Sequence, residues 1–91
     1  MTFIREEGRI YAGNPKKPEA FIKYEYAGDT LIKATSTVVD PSLRGQGIAK
    51  LLLDELADFA RDNHLKIIPV CSYVVTAFKR YDEYKDVMTD A

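Results

Sequence analysis

A chain of 91 residues and 10.3 kDa has room for one domain, and the expectation is a single unit over residues 1–91. Area scaling gives roughly 5,400 Å² of surface for the folded chain against roughly 15,000 Å² unfolded, enough burial for one core without disulfide or metal staples. With 13 Lys and Arg against 14 Asp and Glu, 46% hydrophobic and 30% charged residues, the composition excludes a disordered segment and offers no basic surface for nucleic acid.

Thr2 to Glu7 and Arg9 to Ala12 flank Gly8 and predict a small hairpin, followed by a loop-like insert, Gly13-Asn14-Pro15-Lys16-Lys17-Pro18. Ala20 to Tyr26 alternates and is rich in β-formers. Ala27-Gly28-Asp29 then supplies turn chemistry before Thr30 to Val39, which predicts a second hairpin. After Asp40-Pro41-Ser42 the period changes: Ile48, Leu52, Leu56, Phe59 and Ala60 fall at helical spacing among charged residues, predicting one amphipathic helix that ends near Asn63-His64. Lys66 to Cys71 predicts a short apolar strand, with an irregularity where Pro69 has no N–H to give. From Ser72, the expected N-cap, Val74, Val75, Ala77, Phe78 and Tyr81 predict a second helix, with Lys79 and Arg80 where the dipole favours cations. The order β-β-β-β-α-β-α is that of an α+β protein with a mainly antiparallel mixed sheet. Its βαβ unit over residues 31–71 requires one parallel pair and a right-handed crossover.

Cys71 is the single cysteine, so no internal disulfide forms, and the segment Met1 to Glu6 lacks the basic-then-apolar pattern of a signal peptide. Apolar runs such as Leu51-Leu52-Leu53 fall far short of the ~20 residues that cross a bilayer. The expectation is a cytoplasmic protein without a membrane span, monomeric or weakly dimeric. Cys71 and His64 are the only soft ligands in the chain, and no metal site is expected.

The informative string is Val38-Val39-Asp40-Pro41-Ser42-Leu43-Arg44-Gly45-Gln46-Gly47-Ile48-Ala49-Lys50, which runs from a strand through a glycine turn into the long helix. The first N–H groups of a helix lack intrahelical partners and lie at the positive end of its dipole, so this geometry suits an anion. Gly45 and Gly47 keep side chains out of the approach, and Arg44 can either add a charge-assisted contact or stand in solvent at the loop edge. Neither the Walker pattern nor the Rossmann fingerprint is present.

What is present, Arg44-x-x-Gly47-x-Ala49 after a strand, resembles the pyrophosphate loop of the GCN5-related N-acetyltransferases, Gln/Arg-x-x-Gly-x-Gly/Ala. Cys71-Ser72-Tyr73 and the later Tyr81-Asp82-Glu83-Tyr84 are similar to a small single-domain subfamily, whose members carry Cys-Ser-Tyr/Phe and then His-Pro-Glu-Tyr. Tyr81 and Asp82 depart from that pattern. The resemblance implies acetyl-CoA as the acyl donor, held in a gap between the strand ending at Val39 and the strand ending at Cys71. The main chain of Val38 and Val39 would pair with the pantetheine arm, and Arg44, Gly45, Gln46, Gly47, Ile48 and Ala49 would hold the pyrophosphate. It also implies transfer of an acetyl group to an unidentified amine, with a protein or peptide as one class of acceptor. Larger relatives insert helices where this chain has only Asn14 to Pro18.

Cys71, at the C-terminal end of a predicted parallel strand, is the candidate chemical residue: a nucleophile, a general acid, or a small buried hydrophobe. Tyr73 is a candidate at the substrate mouth. Glu25 is the one carboxylate nominated as a base, although its alternation with Tyr24 and Tyr26 points it to solvent. His64 reads as a dipole partner at a helix end. Two alternatives stand beside the transferase: a non-catalytic acyl-CoA binding or sensing module, and a small interaction domain without a ligand.

Overall fold

In the computed structural model, which describes residues 2–89, five strands form one sheet in the order β1-β2-β3-β4-β5. These are β1 (Ile4–Glu6), β2 (Arg9–Asn14), β3 (Lys17–Gly28), β4 (Leu31–Val39) and β5 (Lys66–Pro69). The first four pair antiparallel and β5 joins β4 in parallel, as the crossover requires. The expected loop at residues 13–18 is mostly strand instead. β2 runs on to Asn14 and β3 starts at Lys17, so only Pro15 and Lys16 turn the chain, with the Lys16 N–H donating to Asn14 Oδ1 at 2.9 Å. A register shift between Ala12 and Gly13 absorbs the irregularity.

α1 (Ile48–Asp62) packs on the sheet through Ile48, Leu52, Leu53, Leu56, Ala57 and Ala60, facing Ile10, Ala20, Ile22, Ile32, Ala34 and Ile67. Burying one such leucine contributes about 2 kcal/mol, so this layer is the main source of stability. Phe59 lies at the margin of the core, its ring centroid 5.2 Å from that of Tyr24. The helix ends through the backbone of His64, which takes φ 56° while Leu65 N–H donates to Ala60 O at 2.8 Å and His64 N–H to Arg61 O at 3.3 Å. That is a Schellman ending with a non-glycine residue at its left-handed position. The main chain of His64 does the closing that its ring was expected to assist.

α2 (Ser72–Arg80) buries Val74, Ala77 and Phe78, and its N-cap is Cys71 rather than Ser72. A 3-10 turn (Asp82–Tyr84) follows, and Tyr84 is fully enclosed. The chain then lies along the outer edge of β5, where Ile67 N–H donates to Val87 O at 2.6 Å.

One irregularity decides which side chains reach the site. Lys23 pairs with Ser36 but Tyr24 pairs with Ala34, so Thr35 bulges out of β4 and its hydroxyl donates to Lys23 O at 3.4 Å. A one-residue bulge reverses the alternation. Thr37 and Val39, opposite Ile22 and Ala20, therefore share the face that packs on α1, and Ser36 and Val38 lie on the other.

Candidate functional site

β4 and β5 stay paired for only four residues, from Leu31 with Lys66 to Ala34 with Pro69. Pro69 ends the ladder, and the Ala34 carbonyl then accepts from both Val70 N–H (3.2 Å) and Cys71 N–H (2.8 Å). Beyond it β4 continues to Val39 beside β3 alone, and the two parallel strands part. The gap is a direct product of a proline two residues before Cys71.

The turn that leaves β4 is fixed by Asp40, whose carboxylate accepts from Ser42 N–H at 2.9 Å and from the Ser42 hydroxyl at 2.8 Å. These bonds hold the Asp40 carboxyl below the usual carboxylate range. Pro41 opens a 3-10 turn (Pro41–Leu43), and Arg44 is extended. Gly45 and Gly47 then take φ 86° and 72°, the left-handed conformation that glycine adopts without strain. A Cβ at either position would meet no atom within 4 Å, so the space in front of the loop is open. Gly47 is the N-cap of α1 and has no side chain with which to cap the first-turn amides.

Loop and gap together enclose a pocket of about 580 Å³ lined by Thr37, Val38, Val39, Leu43, Arg44, Gly45, Gly47, Ile48, Ala49, Lys50, Tyr73 and Tyr81. Seven of the eight residues nominated for phosphate and pantetheine contacts are in this wall, together with Tyr73. Gln46 is exposed and outside it. Thr37, Leu43, Lys50 and Tyr81 line the wall without having been nominated. Lys50 was legible in principle, three residues past Gly47 on the first turn of the helix. Thr37 was not, because its orientation depends on the bulge.

Cys71 adjoins the wall without lining it, its Sγ 3.5 Å from the Thr37 hydroxyl, and is half-buried. Burial pushes the thiol up, but the Thr37 hydroxyl and the Val74 and Tyr73 amides at the start of α2 outweigh it, so the thiol sits below its ordinary value. Tyr73 is shifted the other way: burial, and then the phenol of Tyr81, raise it, so it keeps its proton. Glu25 is exposed on β3 opposite Lys33 and takes no part in the pocket. Among the described residues no group of three or more His, Cys, Asp or Glu could hold a metal ion, and no helix is long and apolar enough to cross a membrane.

A family model described as GCN5-related N-acetyl-transferase matches residues 9–87. Among solved structures, a GCN5-like protein from Staphylococcus aureus is 32% identical, with a TM-score of 0.82 over 99% of this chain and 89% of that one. A ribosomal-protein-alanine N-acetyltransferase from Brucella melitensis biovar Abortus 2308 is 24% identical, with a TM-score of 0.61 over 91% of this chain and 62% of that chain. A Mycobacterium tuberculosis protein in complex with CoA is 18% identical, with a TM-score of 0.57, covering 87% and 62%. The last two are likenesses of fold. No curated protein matches the chain at a significant level.

Proposed function

Because the chain belongs to the GCN5-related N-acetyltransferases, a family of acyltransferases, we propose that its pocket takes acetyl-CoA and that Cys71 handles the acetyl group on its way to an amine. The observation that supports the reading most strongly is the run from Gly45 to Lys50. Two left-handed glycines open space in front of uncapped helix amides, in the wall of a pocket large enough for an extended ligand. The amides of residues 45–49 would hold the pyrophosphate, with Arg44 beside it, and the free edge of β4 at Val38 and Val39 would hydrogen-bond the pantetheine arm as an added strand does. When bound, acetyl-CoA supplies an acetyl group activated as a thioester.

The chain's own part is to present a sulfur. A thiol with a lowered pKa at a helix start is ionised more readily near neutral pH, which suits a nucleophile and leaves it less often with a proton to give a departing thiolate. The phenol of Tyr73, on the pocket wall, keeps its proton at neutral pH and is the group that has one to give. The turn at Pro15–Lys16 adds no covering element to the sheet, and an open site of this kind suits a peptide or protein amine.

One observation favours a second reading, a non-catalytic acyl-CoA binding module: the sulfur touches the wall residue Thr37 but Cys71 does not itself line the pocket. Titration calorimetry with acetyl-CoA and with CoA, followed by intact-mass measurement, separates the two. The transferase reading expects micromolar binding, an acetylated protein species in the wild type, and loss of that species in Cys71→Ala with affinity kept. Binding without any acetylated species removes the nucleophile role. No binding in the millimolar range removes the acetyl-CoA assignment and leaves the fold as an interaction domain.

A further inference from the structure

Lys50, the third residue of α1, is the pocket-lining cation whose position is set by other side chains. Its ammonium donates to Glu83 Oε1 at 2.7 Å and to the Asp54 carboxylate at 3.3 and 3.4 Å. It also lies 4.8 Å from the ring centroid of Tyr81 and 5.5 Å from that of Tyr84. Asp54 is itself fixed, because the enclosed Tyr84 donates its hydroxyl to it. The two carboxylates have different jobs. Asp54, one helical turn along, holds the ammonium from its own helix at the longer distances, and Glu83 reaches it from the 3-10 turn across the chain.

We infer that Lys50 is a ligand for a phosphate group of the bound CoA, and that Glu83 is a built-in competing anion that occupies its ammonium when no phosphate is there. The inference rests on the CoA reading. It follows from charge and exposure. The Glu83 side chain is 55% exposed and the Lys50 side chain 31%, so their pair is of the solvent-screened kind that contributes little. A phosphate carries more charge than a carboxylate and offers more acceptor oxygens, and the amides beside Lys50 already favour an anion in the same space. The ammonium therefore exchanges Glu83 for phosphate while Asp54, on the same helix, remains within its reach. The ion pair with Glu83 also raises the Lys50 pKa, so the side chain remains a cation, not an acyl acceptor, throughout the neutral range.

Calorimetry of CoA and of dephospho-CoA against four proteins tests this: wild type, Lys50→Met, Glu83→Gln and the double variant. Lys50→Met is expected to weaken CoA binding about tenfold, the size of a lost charge-assisted contact. Glu83→Gln is expected to tighten it about threefold, the range of an exposed ion pair, and to have no effect in the Lys50→Met background. If the Lys50→Met defect persists with dephospho-CoA, the phosphate is in the pyrophosphate; if it vanishes, it is the 3′-phosphate. Weaker binding in Glu83→Gln would overturn the inference, since Glu83 would then position Lys50 instead of competing for it, and so would unchanged affinity in Lys50→Met. Failure of the wild type to bind CoA would sink the parent reading instead, and the two failures are distinct.

Discussion

Gly47→Asp separates the loop's conformation from its chemistry. At φ 72° a residue with a side chain costs about 1–2 kcal/mol, toward the low end for aspartate, which tolerates the left-handed region. No steric charge is added, since a Cβ there meets nothing within 4 Å. A carboxylate at the positive end of α1 returns about 0.3–1 kcal/mol. The net loss is about 0.5 kcal/mol, which for a domain of this size lowers Tm by about 2–4 °C. Binding changes far more. A carboxylate about 4 Å from a doubly charged pyrophosphate is repelled by ~2 kcal/mol if water screens the pair and ~8 kcal/mol at an effective dielectric of 20. The affinity for CoA is therefore expected to fall at least about thirtyfold, by calorimetry on protein whose folding is verified by thermal denaturation. Gly47→Ala is the control: it has the strain without the charge and is expected to cost Tm more than affinity. Wild-type affinity in a folded Gly47→Asp protein would refute the assignment of the loop to phosphate.

Thr37→Val removes a hydroxyl that lowers the Cys71 thiol pKa, so the midpoint of its alkylation rate against pH is expected to move upward; an unmoved midpoint would show the α2 amides suffice. The linkage has a definite sign. A lowered thiol pKa stabilises the fold above the unfolded thiol value of about 8.5, and that contribution is lost as pH falls through the folded value, so Thr37→Val is expected to lose stability at high pH and not at low pH. Tyr84→Phe deletes a buried hydroxyl bonded to Asp54 and is expected to cost about 1–3 kcal/mol in urea denaturation. Burial first, and Asp54 second, raise the Tyr84 phenol, so its contribution is complete below the ordinary phenol value of about 10 and disappears as pH rises above it. Tyr84→Phe should flatten that alkaline decline.

The order of strands and helices was legible because each segment has one dominant period: two for Ile22, Tyr24 and Ile32, and near four for Ile48, Leu52 and Leu56. The glycine loop was legible because its residues act through main-chain amides, which depend on sequence position alone. Thr37 shows where reading stops. Continued alternation from Ile32 and Ala34 would send Ser36 and Val38 inward, and only the long-range pairing of β4 with β3 reveals the bulge that turns Thr37 in their place. Tyr81 was hidden for a related reason. Helical spacing placed it within the second helix, whereas the chain leaves the helix at that residue with φ −113° and ψ 120°, and the ring lies at the pocket wall. The placement of Glu83 against Lys50, 33 positions apart, has no local signature at all.

The closing of the sheet's margins bears on self-association. On one side β1 is three residues long and carries Arg5 and Glu6, with Arg5 drawn into ion pairs with Glu55 and Asp62 of α1. On the other, residues 87–89 lie over β5 at Ile67, and Pro69 has no N–H to offer an incoming strand. Both margins are poor templates for cross-β growth, so the short sheet is guarded against aggregation by its own ends. The backbone of β4 beyond Ala34 is left unpaired on its β5 side as well, but it faces the cleft between two strands of the same sheet instead of an outer margin.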